Sequence, residues 1–143
     1  MKVLFLDIDG VLNGVEYQMS PEFENSYIDK SRLPILKAIA DRTGAKIVLS
    51  STRKKDWVPG NPLDSVFTDA GISIYDKTPA MGRKNLEIAA WLSAHPEVDS
   101  FVILDDADGG WGELYPRLVP TFPVESRGLT EEHIAKVSEK FKI

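Results

Sequence analysis

The chain has 143 residues, 43% of them hydrophobic and 27% charged, the size and balance of one globular domain that buries a core without disulfide or metal staples. Disorder, collagen and coiled coil are excluded, and no apolar run approaches the roughly 20 residues of a membrane-spanning helix. A net charge of −5 argues against default binding to polyanions, and the absence of cysteine removes disulfides, thiolate metal sites and a cysteine nucleophile.

In chain order, Lys2–Asp7 (KVLFLD) is a short apolar run ending in an acid, the pattern of a buried strand. Residues 11–30 are polar and irregular and read as a loop or flap. Ser31 is placed to cap a helix reaching about Arg42, with Pro34 in its first turn, Leu36, Ile39 and Ala40 on its inner face, and Gly44 as its stop. Lys46–Ser50 (KIVLS) is a second strand. Between 53 and 71 the breakers Pro59, Gly60 and Pro62 leave room for a short helix near 63–70, and Ile72–Tyr75 is a third strand. Lys84–His95 is helical, with Ile88, Trp91, Leu92 and His95 on one stripe ahead of Pro96. Ser100–Leu104 (SFVIL) is a fourth strand running into Asp105, and Leu118–Phe122 a fifth. Thr130 caps a last helix to about Phe141, whose acids at the start and lysines at the end suit the helix dipole; His133 is expected on its surface.

Strands alternate with helices, and the central strands are apolar throughout. That is the mark of a parallel sheet covered on both faces, so the expected fold is a small three-layer α/β/α sandwich spanning residues 1–143 as one unit. No export signal is evident, and a cytoplasmic location is expected.

Three strands end on polar residues: Asp7, Ser50, and Asp105 with Asp106. In a parallel sheet these ends lie along one edge, where ligands of open α/β sheets bind. Asp7, Asp9, Ser50, Asp105 and Asp106 are therefore expected in one crevice. Carboxylates at about 4 Å and an effective dielectric of about 20 repel by roughly 4 kcal/mol per pair, so either protons or a cation must offset them. An all-oxygen site without cysteine suits Mg²⁺, and a Mg²⁺ site of this kind implies a phosphoryl group as the remaining ligand. In Asp7-Ile8-Asp9-Gly10 the glycine lets the chain turn sharply and brings Asp9 back over the pocket. One carboxylate can then attack phosphorus while the other handles protons. Lys84, at the start of its helix, is the first choice for the cation that faces the developing charge, with Arg83 and Lys77 as competitors. Asp-x-Asp-Gly also opens calcium loops, but Val11 and Gln18 stand where such a loop needs oxygen ligands.

These residues resemble the motifs of the haloacid dehalogenase (HAD) superfamily of aspartate-nucleophile phosphohydrolases, in order along the whole chain. LFLDIDGVL is similar to the first motif, VLSS to the second, Lys84 to the third and VILDD to the fourth. More narrowly, LFLDIDGVLN, IVLSSTRK, VILDDAD and GLTEEHI look like the phosphatase-like domains attached to RNA-repair proteins. The resemblance implies a HAD-like, Rossmannoid fold and these roles: Asp7 as nucleophile and Mg²⁺ ligand; Asp9 as general acid/base, offering its backbone carbonyl to the metal; Ser50 on the transferred phosphoryl; Lys84 steadying Asp7; Asp105 and Asp106 on the metal, the latter directly or through water. The reaction implied is phosphoester hydrolysis through an aspartyl-phosphate. Because the second motif reads Ser50-Ser51-Thr52-Arg53, any of the three hydroxyls is a candidate to face the phosphate, and Ser51 and Arg53 are taken as substrate-binding residues. The intervals between motifs leave no room for a folded cap, so an open site is expected, with at most a flap at 11–30. Its substrate is phosphorylated, either a small molecule or, because the site is open, a large one such as a nucleic-acid end or a phosphoprotein. A nucleic-acid end is compatible with the Arg53, Lys54, Lys55 run, which otherwise reads as a solvated face, but draws no support from the net charge. The alternative is a non-catalytic module of the same fold that binds a phosphorylated partner; Asp9, which a pure binder does not need, speaks against it.

Overall fold

The computed structural model describes residues 1–21, 28–121 and 128–142. Five parallel strands, β1 (Lys2–Leu6), β2 (Lys46–Leu49), β3 (Ile74–Lys77), β4 (Ser100–Asp105) and β5 (Leu118–Pro120), form one sheet in the order β3-β2-β1-β4-β5. The helices are α1 (Val15–Gln18), α2 (Leu33–Thr43), α3 (Pro62–Asp69), α4 (Lys84–Ser93) and α5 (Glu132–Phe141).

The apolar runs dictate this arrangement because β1 is buried on both faces. Leu4 and Leu6 point to one core with Leu36 and Ile39 of α2, Phe67 of α3 and Val137 of α5. Val3 and Phe5 point to the other, with Ile88 and Trp91 of α4 and with Trp111. Phe5 takes Trp91 and Phe101 edge-on, at 5.6 and 5.8 Å between ring centroids. The expected three-layer α/β/α sandwich is what forms, with no large cap. Among the described residues no helix is long and apolar enough to cross a membrane.

Several boundaries differ from the sequence reading for local reasons. Ser31 does not cap α2. Asp29, two residues earlier, caps instead a 3-10 turn (Lys30–Arg32) that runs into α2, accepting from the Ser31 backbone N–H at 3.1 Å and its hydroxyl at 2.7 Å. Gly44 does end α2, in the left-handed region at φ 72°. β3 begins two residues later than expected: Ile72 is buried but outside the ladder, and the β2–β3 register shifts after Ile47 pairs with Ile74. In the expected flap the described part includes the single turn α1; residues 22–27, like Phe122 of the expected fifth strand, lie outside the described residues. His133 is fully buried rather than on the α5 surface. Its Nδ1 accepts the Thr130 backbone N–H at 2.9 Å, so the ring does at the helix start what Glu or Gln does in a capping box.

Burial holds the His133 pKa below its ordinary value, because the charged ring loses its hydration. A base whose folded pKa is depressed stabilises the fold above its unfolded pKa, about 6.5, and loses that contribution as pH falls. Urea unfolding from pH 7.5 to 5 should therefore show a steeper acid loss for the wild type than for His133→Gln, which keeps an acceptor for the Thr130 N–H and cannot titrate.

Candidate active site

The sheet register builds the site. Leu6 pairs with Leu49 on one side and Leu104 on the other, and all three side chains enter the same core. One residue further on, the two-residue period of a strand turns Asp7, Ser50 and Asp105 to the opposite face, the one α4 covers. The ladder continues that far: the Asp7 N–H donates to the Leu104 carbonyl at 3.1 Å and the Ser50 N–H to the Leu6 carbonyl at 3.0 Å. β1 and β4 adjoin where the strand order reverses, the usual ligand crevice of an open α/β sheet.

Oxygens of Asp7, Asp105 and Asp106 lie within 4.8 Å of one another. Lys84, at the first position of α4, bridges two of them, with Nζ 3.2 Å from Asp7 Oδ1 and 2.8 Å from Asp105 Oδ2. Lys77 donates instead to the Lys54 and Trp57 carbonyls, at 3.2 and 2.8 Å. Lys84 is thus the cation that meets the acids, and Arg83 stands outside this contact. The Asp105 Oδ1 also accepts the Ala107 N–H at 2.9 Å.

One ammonium does not neutralise three carboxylates. Burial, then the charge on Asp105, pushes the Asp7 pKa up to about 8 against the pull of Lys84. Asp105 is raised too, first by burial. Burial works against the Lys84 charge, but Asp7 and Asp105 outweigh it and raise its pKa. The cluster therefore lacks positive charge, and its donors are hard oxygens; this fits a divalent ion such as Mg²⁺.

Asp9 is not part of this cluster. Its Oδ1 accepts from Arg53 Nη1 at 3.3 Å and from Asn13 Nδ2 at 3.1 Å. Asn13, which the sequence reading passed over, is fully buried, and its Oδ1 takes the Asp29 N–H at 2.8 Å. Gly10 is required between the two acids. Its φ is +90°, and a Cβ there would lie 2.1 Å from Asp106 Oδ2. The far end of the chain clamps the same turn: the Thr121 hydroxyl donates to the Gly10 carbonyl at 2.8 Å, and the Leu129 N–H to the Val11 carbonyl at 2.6 Å. Gly128, at φ +75°, lets that strand of chain approach, since a Cβ would sit 2.4 Å from the Val11 oxygen.

The second-motif residues divide. Ser50 is closed off from solvent and its hydroxyl has no partner among the described residues. The Ser51 hydroxyl accepts the Arg53 N–H at 3.1 Å and caps the 3-10 turn Thr52–Asp56, while Thr52 is exposed. The expected solvated face of Arg53, Lys54 and Lys55 fails at its middle member. Lys54 is buried and pairs with Glu87 of α4 at 2.7 Å. The other oxygen of Glu87 accepts the Met81 and Gly82 N–H groups at 2.7 and 3.2 Å. Burial alone would raise the Glu87 pKa, but these donors hold it below the ordinary range. The pair ties the turn carrying Arg53 to the helix carrying Lys84. No sequence signal marked it, because a basic run is ordinarily solvated.

Residues 3–134 match the family described as the HAD domain in Swiss Army Knife RNA repair proteins. No curated protein matches the chain.

Two outcomes follow from the charges. With chelator present, Asp7→Asn should melt above the wild type. A carboxyl raised in the fold costs stability increasingly as pH climbs from its unfolded value of 3.8 towards about 8, so the advantage should grow from pH 5 to pH 8 in calorimetric scans. Lys54→Met leaves Glu87 buried without its counter-charge and should lower the unfolding free energy by about 3–5 kcal/mol in urea titrations at pH 7.

Proposed function

Because the chain belongs to the family of the HAD domain in Swiss Army Knife RNA repair proteins, we propose that its acidic crevice hydrolyses phosphomonoesters with Mg²⁺ as cofactor. The observation that carries this reading is the cluster of Asp7, Asp105 and Asp106 oxygens with Lys84 across two of them. Such a deficit of positive charge binds a divalent ion and an anion's electrophilic centre together. Asp7, Asp105 and Asp106 would hold the metal through their carboxylates and Asp9 through its backbone carbonyl; when bound, Mg²⁺ offsets their charge and polarises the phosphoryl oxygens as a Lewis acid.

Asp7 is the nucleophile. Its free carboxylate oxygen forms a bond to phosphorus as the bond to the leaving oxygen breaks, giving an aspartyl-phosphate. Asp9 gives its proton to the leaving oxygen. Water then attacks phosphorus, Asp9 takes back a proton, and phosphate departs with Asp7 regenerated. Arg53 and Asn13 both approach Oδ1 of Asp9, which leaves Oδ2 to carry the travelling proton. Lys84 holds Asp7 in place and faces the phosphoryl charge. Ser50 and Ser51 supply hydroxyl donors at the end of β2, and Arg53 a guanidinium suited to phosphate oxygens. With no large cap over the crevice, macromolecular ends are admitted as well as small esters; the RNA-repair setting of the family favours a nucleic-acid end.

Release of phosphate should require Mg²⁺, fall to background in Asp7→Asn and stop in excess chelator. Asp9→Asn should lower kcat by roughly 10²–10⁴-fold. That loss should be larger for an alkyl phosphate, whose leaving oxygen needs the proton, than for 4-nitrophenyl phosphate, whose leaving group does not. Unchanged turnover in Asp7→Asn rules the mechanism out, and phosphate binding without turnover on any ester would mark a binding module.

A further inference from the structure

Beside the acidic crevice lies a cavity of about 370 Å³ that shares Lys84 with it. Arg83, Lys84 and Asn85 form one wall, and Gly109, Gly110 and Trp111 the other. A volume of this size lies within the roughly 300–1,000 Å³ of small-molecule sites. Trp111 is nearly fully buried and its Nε1 donates to the Ala107 carbonyl at 2.9 Å, so that wall is a rigid ring edge beside two residues of bare backbone.

Arg83 is the feature without a use so far. It precedes α4 with extended backbone (φ −137°, ψ 127°), outside the helix that carries its neighbour inward. Lys84 turns to Asp7 and Asp105, whereas Arg83 is exposed and lines the cavity. Its guanidinium has no ion pair or hydrogen bond among the described residues, and neither does the Asn85 amide. In a chain of net charge −5, an unpaired arginine next to three carboxylates leaves a cationic fork open to an outside anion. Consecutive residues thus carry two cations, one paired with Asp7 and Asp105 and one lining the cavity beside them.

We propose that this cavity is the leaving-group subsite, and that Arg83, helped by the Asn85 amide, binds a second phosphate carried by the leaving group. The inference rests on the phosphatase reading above and narrows its substrate class. The preferred ester stands on a sugar-sized group that bears another phosphate, whether as a free nucleoside bisphosphate or as a phosphorylated strand end, where the next phosphodiester takes the second position.

The test compares adenosine 3′-monophosphate, adenosine 3′,5′-bisphosphate and a 3′-phosphorylated trinucleotide with Mg²⁺. In the wild type, kcat/KM should be higher for the two substrates with a second phosphate than for the monophosphate. Arg83→Gln should reduce that preference about tenfold, through KM rather than kcat, and Arg83→Lys should restore part of it. Lys142→Gln, the same charge change on an exposed residue of the C-terminal segment, should leave the preference where it was. Whichever of bisphosphate and trinucleotide shows the larger dependence on Arg83 identifies the source of the second phosphate. A preference that changes by under about threefold in Arg83→Gln, or as much in Lys142→Gln, overturns the subsite. Failure of the chemistry is read separately, by calorimetry on Asp7→Asn with Mg²⁺. There the bisphosphate should bind more tightly than the monophosphate, and the added Arg83→Gln should erase the difference; equal binding overturns the subsite whatever the turnover.

Discussion

Three carboxylates share the carboxyl edge of the sheet with a single ammonium, and much of the molecule serves to keep them there. The register of β1 against β2 and β4 turns Asp7, Ser50 and Asp105 to one face, and α4 delivers Lys84 to that face. Apolar packing on both sides of β1 supplies the driving force that keeps such a costly arrangement folded, since burying charge with too few partners opposes folding. The unbalanced charge makes the cluster a fit for a divalent cation.

The two acids of the first motif have separate surroundings, which is how identical side chains acquire different tasks. Asp7 is buried among other acids and shifted upward. Asp9 stands in a socket of neutral and cationic donors, Asn13 and Arg53. That socket is braced from below by the buried Lys54–Glu87 pair, whose glutamate also fixes the backbone just ahead of Lys84. The turn that carries Arg53 and the helix that carries Lys84 are thus joined by a buried ion pair.

What the amino-acid sequence disclosed was whatever leaves a local signature. The parallel sheet was legible because four of its strands are short apolar runs, three of them ending on polar residues, and the DxDG and DD motifs were legible because acids after such runs have few structural uses. Lys84 was legible as the first choice from its place at the start of a helix, but what separates it from Arg83 and Lys77, which side chain clears the turn into α4, was not. Nor was the burial of Lys54 and His133, because each is explained by a partner 33 residues away in one case and by an unusual helix start in the other. Asn13 escaped notice for a related reason: its value comes from a contact with Asp29 across the flap.

The clamp on the first loop ties Gly10 and Val11 to Thr121 and Leu129, far apart in the sequence. The Gly10 and Val11 carbonyls are held only once the Thr121 hydroxyl and the Leu129 amide have docked, so the turn carrying the first-motif acids is completed by residues far along the chain. Until then the leading acids sit on a loop that lacks its final tethers. Undocking of that distant segment would therefore reach the acids directly, by loosening the turn between them.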